Sequence, residues 1–298
     1  MTDSITVIIP TRDRPEYLRV CVASVLASAS EAQRRYGVRT RVLVVEDAPV
    51  IDSGAQVCRD LGVDYLRIAQ HDGLADPGAA ILLGVQNVDT TYQCIFGDDD
   101  VMLPRHLSAG YAMLSEGYDV VSCSYQVTDE DLVPLGTVKL EESDLGDLIA
   151  GYTGVNDGSF VSHELVKDLD WDVTLEGQML VPIWGELMMA GRKSGVVETP
   201  TWYYRRHTAN ISLGALTPRD RVLRGVAQAR LRKRALEVLG YVPKSPRAEE
   251  AALEWAAWQK ILNPTRSAMA GAFVRRQLAR LQALIRRARN KTARVIAP

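Results

Sequence analysis

The sequence predicts an α/β protein in which a mostly parallel sheet is flanked by helices and followed by a basic helical appendage. Strand-like runs rich in Val and Ile alternate with helical patterns through short connections over roughly the first 125 residues, and such alternation builds parallel sheets by right-handed crossovers. Polar or acidic loops follow the strands at residues 10–13, 46–47 and 98–100, so one edge of the sheet collects them. Charge divides the chain. Residues 219–298 hold 19 Lys and Arg against 5 Asp and Glu; the totals of 35 and 37 leave 16 against 32 for the preceding residues. An acidic body and a basic tail are chemically distinct parts.

Ser4 to Pro10 is nearly all β-branched and stopped by proline, a strand signal. Asp13, Pro15 and Glu16 read as a helix start: an acidic N-cap, a proline in the first turn and a glutamate three residues past the cap. Leu18, Val22, Val25, Leu26 and Ala29 recur at helical spacing and carry that helix to about Tyr36. Val42 to Val45 is a second buried strand closed by Glu46 and Asp47, Ala55 to Leu61 a short helix ended by Gly62, and Tyr65 to Ile68 a third strand. After a loop over 70–78, Ala79 to Val88 is a helix, Tyr92 to Phe96 a buried strand, Pro104 to Gly117 a helix and Val120 to Ser124 a strand. Residues 126–216 have weaker periodicity, with one clear strand from Val196 to Tyr204 running into Arg205-Arg206-His207. From Thr217 the pattern is helical and Arg-rich. Pro243, Pro246 and Pro264 divide it into about three helices, and Val274, Leu278, Leu281 and Ile285 mark one face of the last.

Composition is that of an ordinary globular chain, 47% hydrophobic and 24% charged over 298 residues, enough to bury a sizeable core. No apolar run approaches the roughly 20 residues of a membrane-spanning helix, and the N-terminus enters a strand without a basic and apolar leader, so the expected location is cytoplasmic. Cys21, Cys58, Cys94 and Cys123 are far apart inside apolar segments, which reads as reduced core residues rather than a disulfide framework or a zinc site.

The chemistry concentrates at Gly97-Asp98-Asp99-Asp100, directly after an apolar strand. Three like charges this close repel unless a cation or a run of donors is present. Carboxylates without nearby cysteines suit hard ions such as Mg²⁺ or Mn²⁺, which also take phosphate oxygens as ligands. The alternative is that Asp98 to Asp100 cap the helix opened by Pro104.

Four ordered motifs then combine: Val7-Ile8-Ile9-Pro10-Thr11-Arg12-Asp13-Arg14, Val44-Val45-Glu46-Asp47, Phe96-Gly97-Asp98-Asp99-Asp100 with Pro104, and Tyr203-Tyr204-Arg205-Arg206-His207. Together, over about residues 4–214, they resemble glycosyltransferase family 2, inverting enzymes of the GT-A fold. The resemblance implies a nucleotide-diphosphate sugar as donor, an acceptor hydroxyl, and Mn²⁺ or Mg²⁺. It implies that Pro10, Thr11, Arg12, Asp13 and Asp47 hold the nucleoside, with Glu46 where an aspartate is usual. Asp98, Asp99 and Asp100 would carry ribose and metal, Asp99 and Asp100 nearest the metal, with His207 completing metal or diphosphate binding and Arg205 and Arg206 reaching diphosphate oxygens. The implied domains are 1–216, with a nucleotide-binding half at 1–125 and an acceptor-side half at 126–216, and a basic helical appendage at 217–298. One departure concerns the base that an inverting mechanism requires. Where the family has an acidic pair, this chain has Met179-Leu180-Val181-Pro182, and Glu176 is the first substitute, followed by Glu186 and Asp172.

Nucleotidyl transfer predicts a Gly-rich phosphate loop with a lysine after the first strand, which Thr11-Arg12-Asp13-Arg14 does not supply. A non-catalytic nucleotide-sugar-binding or scaffold protein that has lost the base is the competing class. For the basic tail the pattern favours packing within the chain or a homodimer, with Trp255 and Trp258 as interface aromatics, over peripheral contact with an anionic membrane. Aromatics are too few there to favour nucleic acid.

Overall fold

A computed structural model describes residues 3–50, 53–69, 77–151, 157–207 and 218–244. Period-two alternation in β1 (Ser4–Thr11) sends Ile5, Val7 and Ile9 to one face and Ile8 to the other, all fully buried. A strand apolar on both faces belongs inside a sheet that is covered on both sides. β2 (Arg39–Asp47) and β4 (Tyr92–Ile95) flank it in parallel, and β3 (Asp64–Ile68) extends the sheet beyond β2. Past β4 the order continues through β8 (Phe160–Ser162), β6 (Val120–Thr128), β9 (Ser194–Arg205) and β5 (Val101–Met102), while β7 (Pro134–Val138) pairs with β6 off this path. The pairings make β1, β2, β3, β4, β6 and β9 run one way and β5, β7 and β8 the other. The sheet is mixed: among the described residues six of its nine strands point the same way, but its eight pairings divide into four parallel and four antiparallel, so it is less parallel than the sequence predicts.

Helices α1 (Pro15–Tyr36), α2 (Gly54–Leu61) and α4 (His106–Ser115) cover the face reached by Ile5, Val7 and Ile9. Helices α3 (Pro77–Gln86), α5 (Leu145–Ala150), α6 (Leu180–Met189) and α7 (Pro218–Leu239) cover the face reached by Ile8. α7 is the first helix of the basic stretch. Its Ala227, Leu231 and Ala235 are buried, so it packs within the compact unit Met1–Ser245. The expectations for Pro246, Trp255, Trp258, Pro264, Val274, Leu278, Leu281 and Ile285 lie outside the described residues. Among the described residues no helix is long and apolar enough to cross a membrane. All four cysteines are buried and free, as core residues should be.

Two local readings change. Asp13 does not cap α1: the N-cap position is Arg14, without a side-chain cap, and the Asp13 carboxylate accepts from the Val50 N–H at 3.0 and 3.2 Å. Nor do the three aspartates cap a helix opened at Pro104. The chain first makes β5 against Trp202 and Tyr203, and α4 begins only at His106 behind an Arg105 N-cap.

That short strand positions the site. β9 runs beside β6 in register from Ser194 to Val197, shifts, and resumes with Tyr125 opposite Trp202. The irregularity bends β9 toward the end of β4, as bulges do. Trp202 fixes the bend: 2% exposed, it donates from its indole N–H to the Cys123 carbonyl at 3.1 Å and packs edge-on against Phe96, the residue before Gly97. Truncating such a buried aromatic costs roughly 3–5 kcal/mol. The strand end that follows, Arg205 to His207, is thereby delivered to the acidic loop.

Candidate functional site

β4 ends at Ile95, and the chain turns at Gly97 so that its next three residues crowd against it. A Cβ at Gly97 would meet Asp100 Oδ2 at 3.1 Å and Asp99 Oδ1 at 3.2 Å, tight contacts that glycine avoids. Asp98 and Asp100 are buried, and each is held by a different part of the chain. Thr11, at the end of β1, donates its hydroxyl to Asp98 Oδ2 at 2.6 Å. Asp100 Oδ1 accepts from the Arg205 backbone N–H at 2.9 Å. Asp99 Oδ2 lies 2.9 Å from His207 Nε2, and the His207 side chain is only 1% exposed.

Arg14 binds the cluster from the other side. Its guanidinium reaches Asp98 Oδ1 at 2.7 Å and Asp99 Oδ2 at 3.0 Å. Among the described residues, Arg14 is the guanidinium paired directly with Asp98 and Asp99. Burial pushes Asp98 up to about 7; the Arg14 charge and the Thr11 hydroxyl pull it down but do not offset the lost hydration and the Asp99 charge. Asp100 is pushed well above the ordinary carboxylate range, by burial first and then by the Asp99 charge.

The remaining first-loop and second-strand residues divide. Pro10 and Thr11 pair with Val45 and Glu46, which keeps the β1 loop beside the end of β2. Arg12 approaches Asp47 Oδ2 at 3.7 Å and Asp13 Oδ2 at 3.8 Å, loose contacts on a partly exposed side chain. Glu46 turns inward. Alternation puts it on the α2 side of the sheet, where its carboxylate accepts from the Gly54 N–H at 3.2 Å and the Tyr65 hydroxyl at 2.6 Å. That is a strand-to-helix tie, which explains how the longer glutamate is used at this position.

Arg205 is buried and lies over the Tyr17 ring at 5.1 Å, whereas Arg206 is exposed and uses its backbone N–H on the Thr128 carbonyl. Two of the residues read as base candidates make ion pairs with α7. Glu186 on α6 pairs with Arg234 at 2.7 Å, and Asp172 pairs with Arg230 while accepting from the Thr174 N–H at 2.9 Å. Both therefore tie α7 to the domain. Glu176 lies in the 3-10 segment Val173–Met179, its side chain outside the described residues.

Three residues here had no role in the sequence reading. Arg14 was visible inside the first motif, but its pairing with carboxylates 85 residues away has no local signature. Tyr17 stacks on His207 with ring centroids 4.6 Å apart. Asp157 precedes Gly158, whose N–H donates to the Ile95 carbonyl. Its carboxyl is pushed up to about 6, by loss of solvation and then by the Asp99 charge, even though the residue keeps solvent contact.

Among the described residues no group of three His, Cys, Asp or Glu side chains converges to hold a metal ion by itself. The pair Asp99 and His207 nonetheless fits a Mg²⁺ or Mn²⁺ site of the kind completed by water and substrate phosphate, which needs only one or two protein side chains.

The model of the family "Glycosyl transferase family 2" matches residues 6–161. No curated protein matches the sequence. Among solved structures, TarS of S. aureus superposes with a TM-score of 0.58 at 16% identity, covering 90% of this chain and 44% of that one. TarS residues 1-349 in complex with UDP-GlcNAc give 0.60 at 14%, covering 89% and 74%. Glucosyl-3-phosphoglycerate synthase from Mycobacterium tuberculosis, solved with Mn²⁺, uridine-diphosphate and phosphoglyceric acid, gives 0.50 at 13%, covering 82% and 80%. The chain thus spans less than half the length of full TarS, and at these identities the likeness concerns the fold. The family match, which covers more than half of the chain and includes β1, β2 and the acidic loop, establishes that this protein belongs to glycosyl transferase family 2.

Proposed function

We propose that the protein transfers a sugar from a nucleoside-diphosphate donor to an acceptor hydroxyl, with Mn²⁺ or Mg²⁺ bound at the acidic loop and with inversion at the anomeric carbon. The observation that carries this reading is the meeting of Asp99 and His207 at 2.9 Å on the edge where β1, β4 and β9 end, inside a cluster of three adjacent carboxylates of which Asp98 is pushed up to about 7 by burial. A uridine nucleotide is the first donor to test, because the similar folds were solved with UDP or UDP-GlcNAc.

Each residue then has a task. Asp99 and His207 hold the cation, with Asp100 beside them oriented by the Arg205 N–H. When bound, the cation supplies neutralisation of the charge that accumulates on the departing diphosphate. Asp98 faces the ribose, oriented by Thr11 and Arg14. Pro10, Thr11, Arg12, Asp13 and Asp47 form the nucleoside side of the site, and Arg205 and Arg206 contribute positive charge toward the diphosphate. Glu46 supports this wall from within rather than touching the donor. Glu176 removes the proton from the acceptor hydroxyl, since Glu186 and Asp172 are engaged with α7.

That same engagement favours a second reading, a nucleotide-sugar-binding protein without transferase chemistry. A thermal-shift panel of sugar nucleotides with Mn²⁺, followed by assays for donor hydrolysis and transfer, separates the two. Stabilisation by a donor with no turnover on any hydroxyl acceptor supports the second; no stabilisation by any sugar nucleotide removes both.

A further inference from the structure

Tyr17 lies in the first turn of α1 and belongs to none of the motifs above. It makes three contacts around the site. Its ring stacks on the His207 imidazole, with centroids 4.6 Å apart and planes 26° from parallel. The Arg205 guanidinium sits over the same ring at 5.1 Å. Its hydroxyl donates to Glu130 Oε1 at 2.6 Å, across 113 residues of sequence.

Glu130 is presented by a built turn. The chain between β6 and β7 is closed by Asp129, whose Oδ1 accepts from the Asp131 N–H at 3.1 Å and the Val133 N–H at 2.8 Å. Leu132 takes a left-handed conformation, φ 64°, to complete it. Turn, tyrosine and imidazole thus form a series that ends at Asp99. An imidazole must be oriented within a few tenths of an ångström to share a cation with a carboxylate, and groups around a metal ligand set that orientation.

We infer that Tyr17 is a positioning residue: its ring fixes the His207 imidazole against Asp99, and the Glu130 contact is an accessory to that stack. The inference rests on the cation-binding role of His207 proposed above. It concerns the stack, so Tyr17→Phe keeps the function while Tyr17→Leu loses it. An aromatic pair of this geometry is equivalent to about a 2- to 12-fold change in an equilibrium constant.

The test is calorimetry of UDP with and without MnCl₂ on the full chain, combined with NMR of the histidine ring protons. Tyr17→Leu should weaken Mn²⁺-dependent UDP binding by about 2- to 12-fold, and Tyr17→Phe should return it to within about twofold of wild type. In a His207→Ala background Tyr17→Leu should add less than a twofold effect, because a residue that acts through His207 has nothing left to position. A full additional loss in that background, or no recovery with phenylalanine, overturns the proposal. The NMR arm is independent of the nucleotide. With the His207 signal assigned by its loss in His207→Asn, Tyr17→Leu should move it and Tyr17→Phe should leave it nearly in place. An unmoved signal in Tyr17→Leu overturns the stack even if UDP binds, whereas a moved signal in a protein that never binds UDP leaves the stack standing and removes the donor reading instead.

Discussion

His207 Nε2 and Asp99 Oδ2 lie 2.9 Å apart although 108 residues separate them. The contact exists because β9 is bent at its register shift and then clamped between β5 and β6. If this pair holds a cation, Asp99→Ala and His207→Ala should each weaken Mn²⁺-dependent UDP binding by on the order of 10–100-fold or more. Asp99→Ala should not destabilise the fold, because removing its charge relieves the repulsion that raises Asp98 and Asp100. Calorimetry showing unchanged UDP affinity and unchanged Mn²⁺ dependence in Asp99→Ala would sink the assignment.

The base is tested separately. If Glu176 deprotonates the acceptor, Glu176→Gln should lower turnover by roughly two to four orders of magnitude and leave UDP affinity nearly unchanged. Near-normal turnover would shift attention to Asp157, which lies under the influence of the Asp99 charge. Glu186→Gln and Asp172→Asn should behave differently, altering stability through their α7 pairs rather than the rate.

The buried carboxyls also make a statement about pH. In the unfolded chain Asp98 ionises near its ordinary 3.8, while in the metal-free fold burial pushes it up to about 7. Between those values the folded protein holds a proton that the unfolded chain has released. Stability from this residue is therefore fully present below 3.8 and is lost as pH rises toward 7, at up to about 1.4 kcal/mol per pH unit. Asp98→Asn removes that loss, and its amide oxygen can still face Arg14 while its NH₂ donates to Thr11. Denaturation in EDTA across pH 4–8 should show the variant gaining on wild type as pH rises and levelling off above about 7. A difference that does not depend on pH would refute the raised value, and a variant that gains stability but loses UDP binding would show fold strength given up for a site.

How much of this was legible depends on the range of each interaction. β1 and β2 were readable because Val, Ile and Leu on both faces of a strand leave only a covered parallel sheet as a solution, while β3 and β4 were readable as short aromatic and aliphatic runs between turn signals. The candidate site was readable for a local reason as well: Thr11 ends β1 and Asp98 to Asp100 follow β4. Asp13 misled because a sequence cap and a carboxylate that binds the Val50 N–H look alike until the loop is folded. The resemblance assigns Glu46 to the nucleoside side, and β2 alternation encodes the face on which its carboxylate meets Gly54 and Tyr65. Arg14 with Asp98, and Tyr17 with His207, were illegible in principle, since neither spacing nor periodicity encodes a contact between segments that only the folded sheet brings together.

The last prediction concerns α7, whose charge drew attention in the sequence but whose apolar face anchors it. Arg230 and Arg234 are each about half exposed, and pairs of that kind contribute about 0–1 kcal/mol. Leu231 is 1% exposed, and its truncation to alanine costs roughly 2–5 kcal/mol. Facing it is Gly185 on α6, where an added Cβ would meet Leu231 Cδ1 at 2.0 Å. Gly185→Ala should therefore destabilise through overpacking, and Leu231→Ala through a cavity. Combined, the new methyl enters the space left by the leucine, so the double variant should be more stable than the sum of the two losses predicts. Charge removal at Arg230 and Arg234 should cost less than Leu231→Ala alone, and ending the chain after residue 216 should expose the α6 face and broaden or abolish cooperative unfolding. A truncated protein that unfolds as sharply and at the same temperature as the full chain would show that α7 is an appendage in the energetic sense as well.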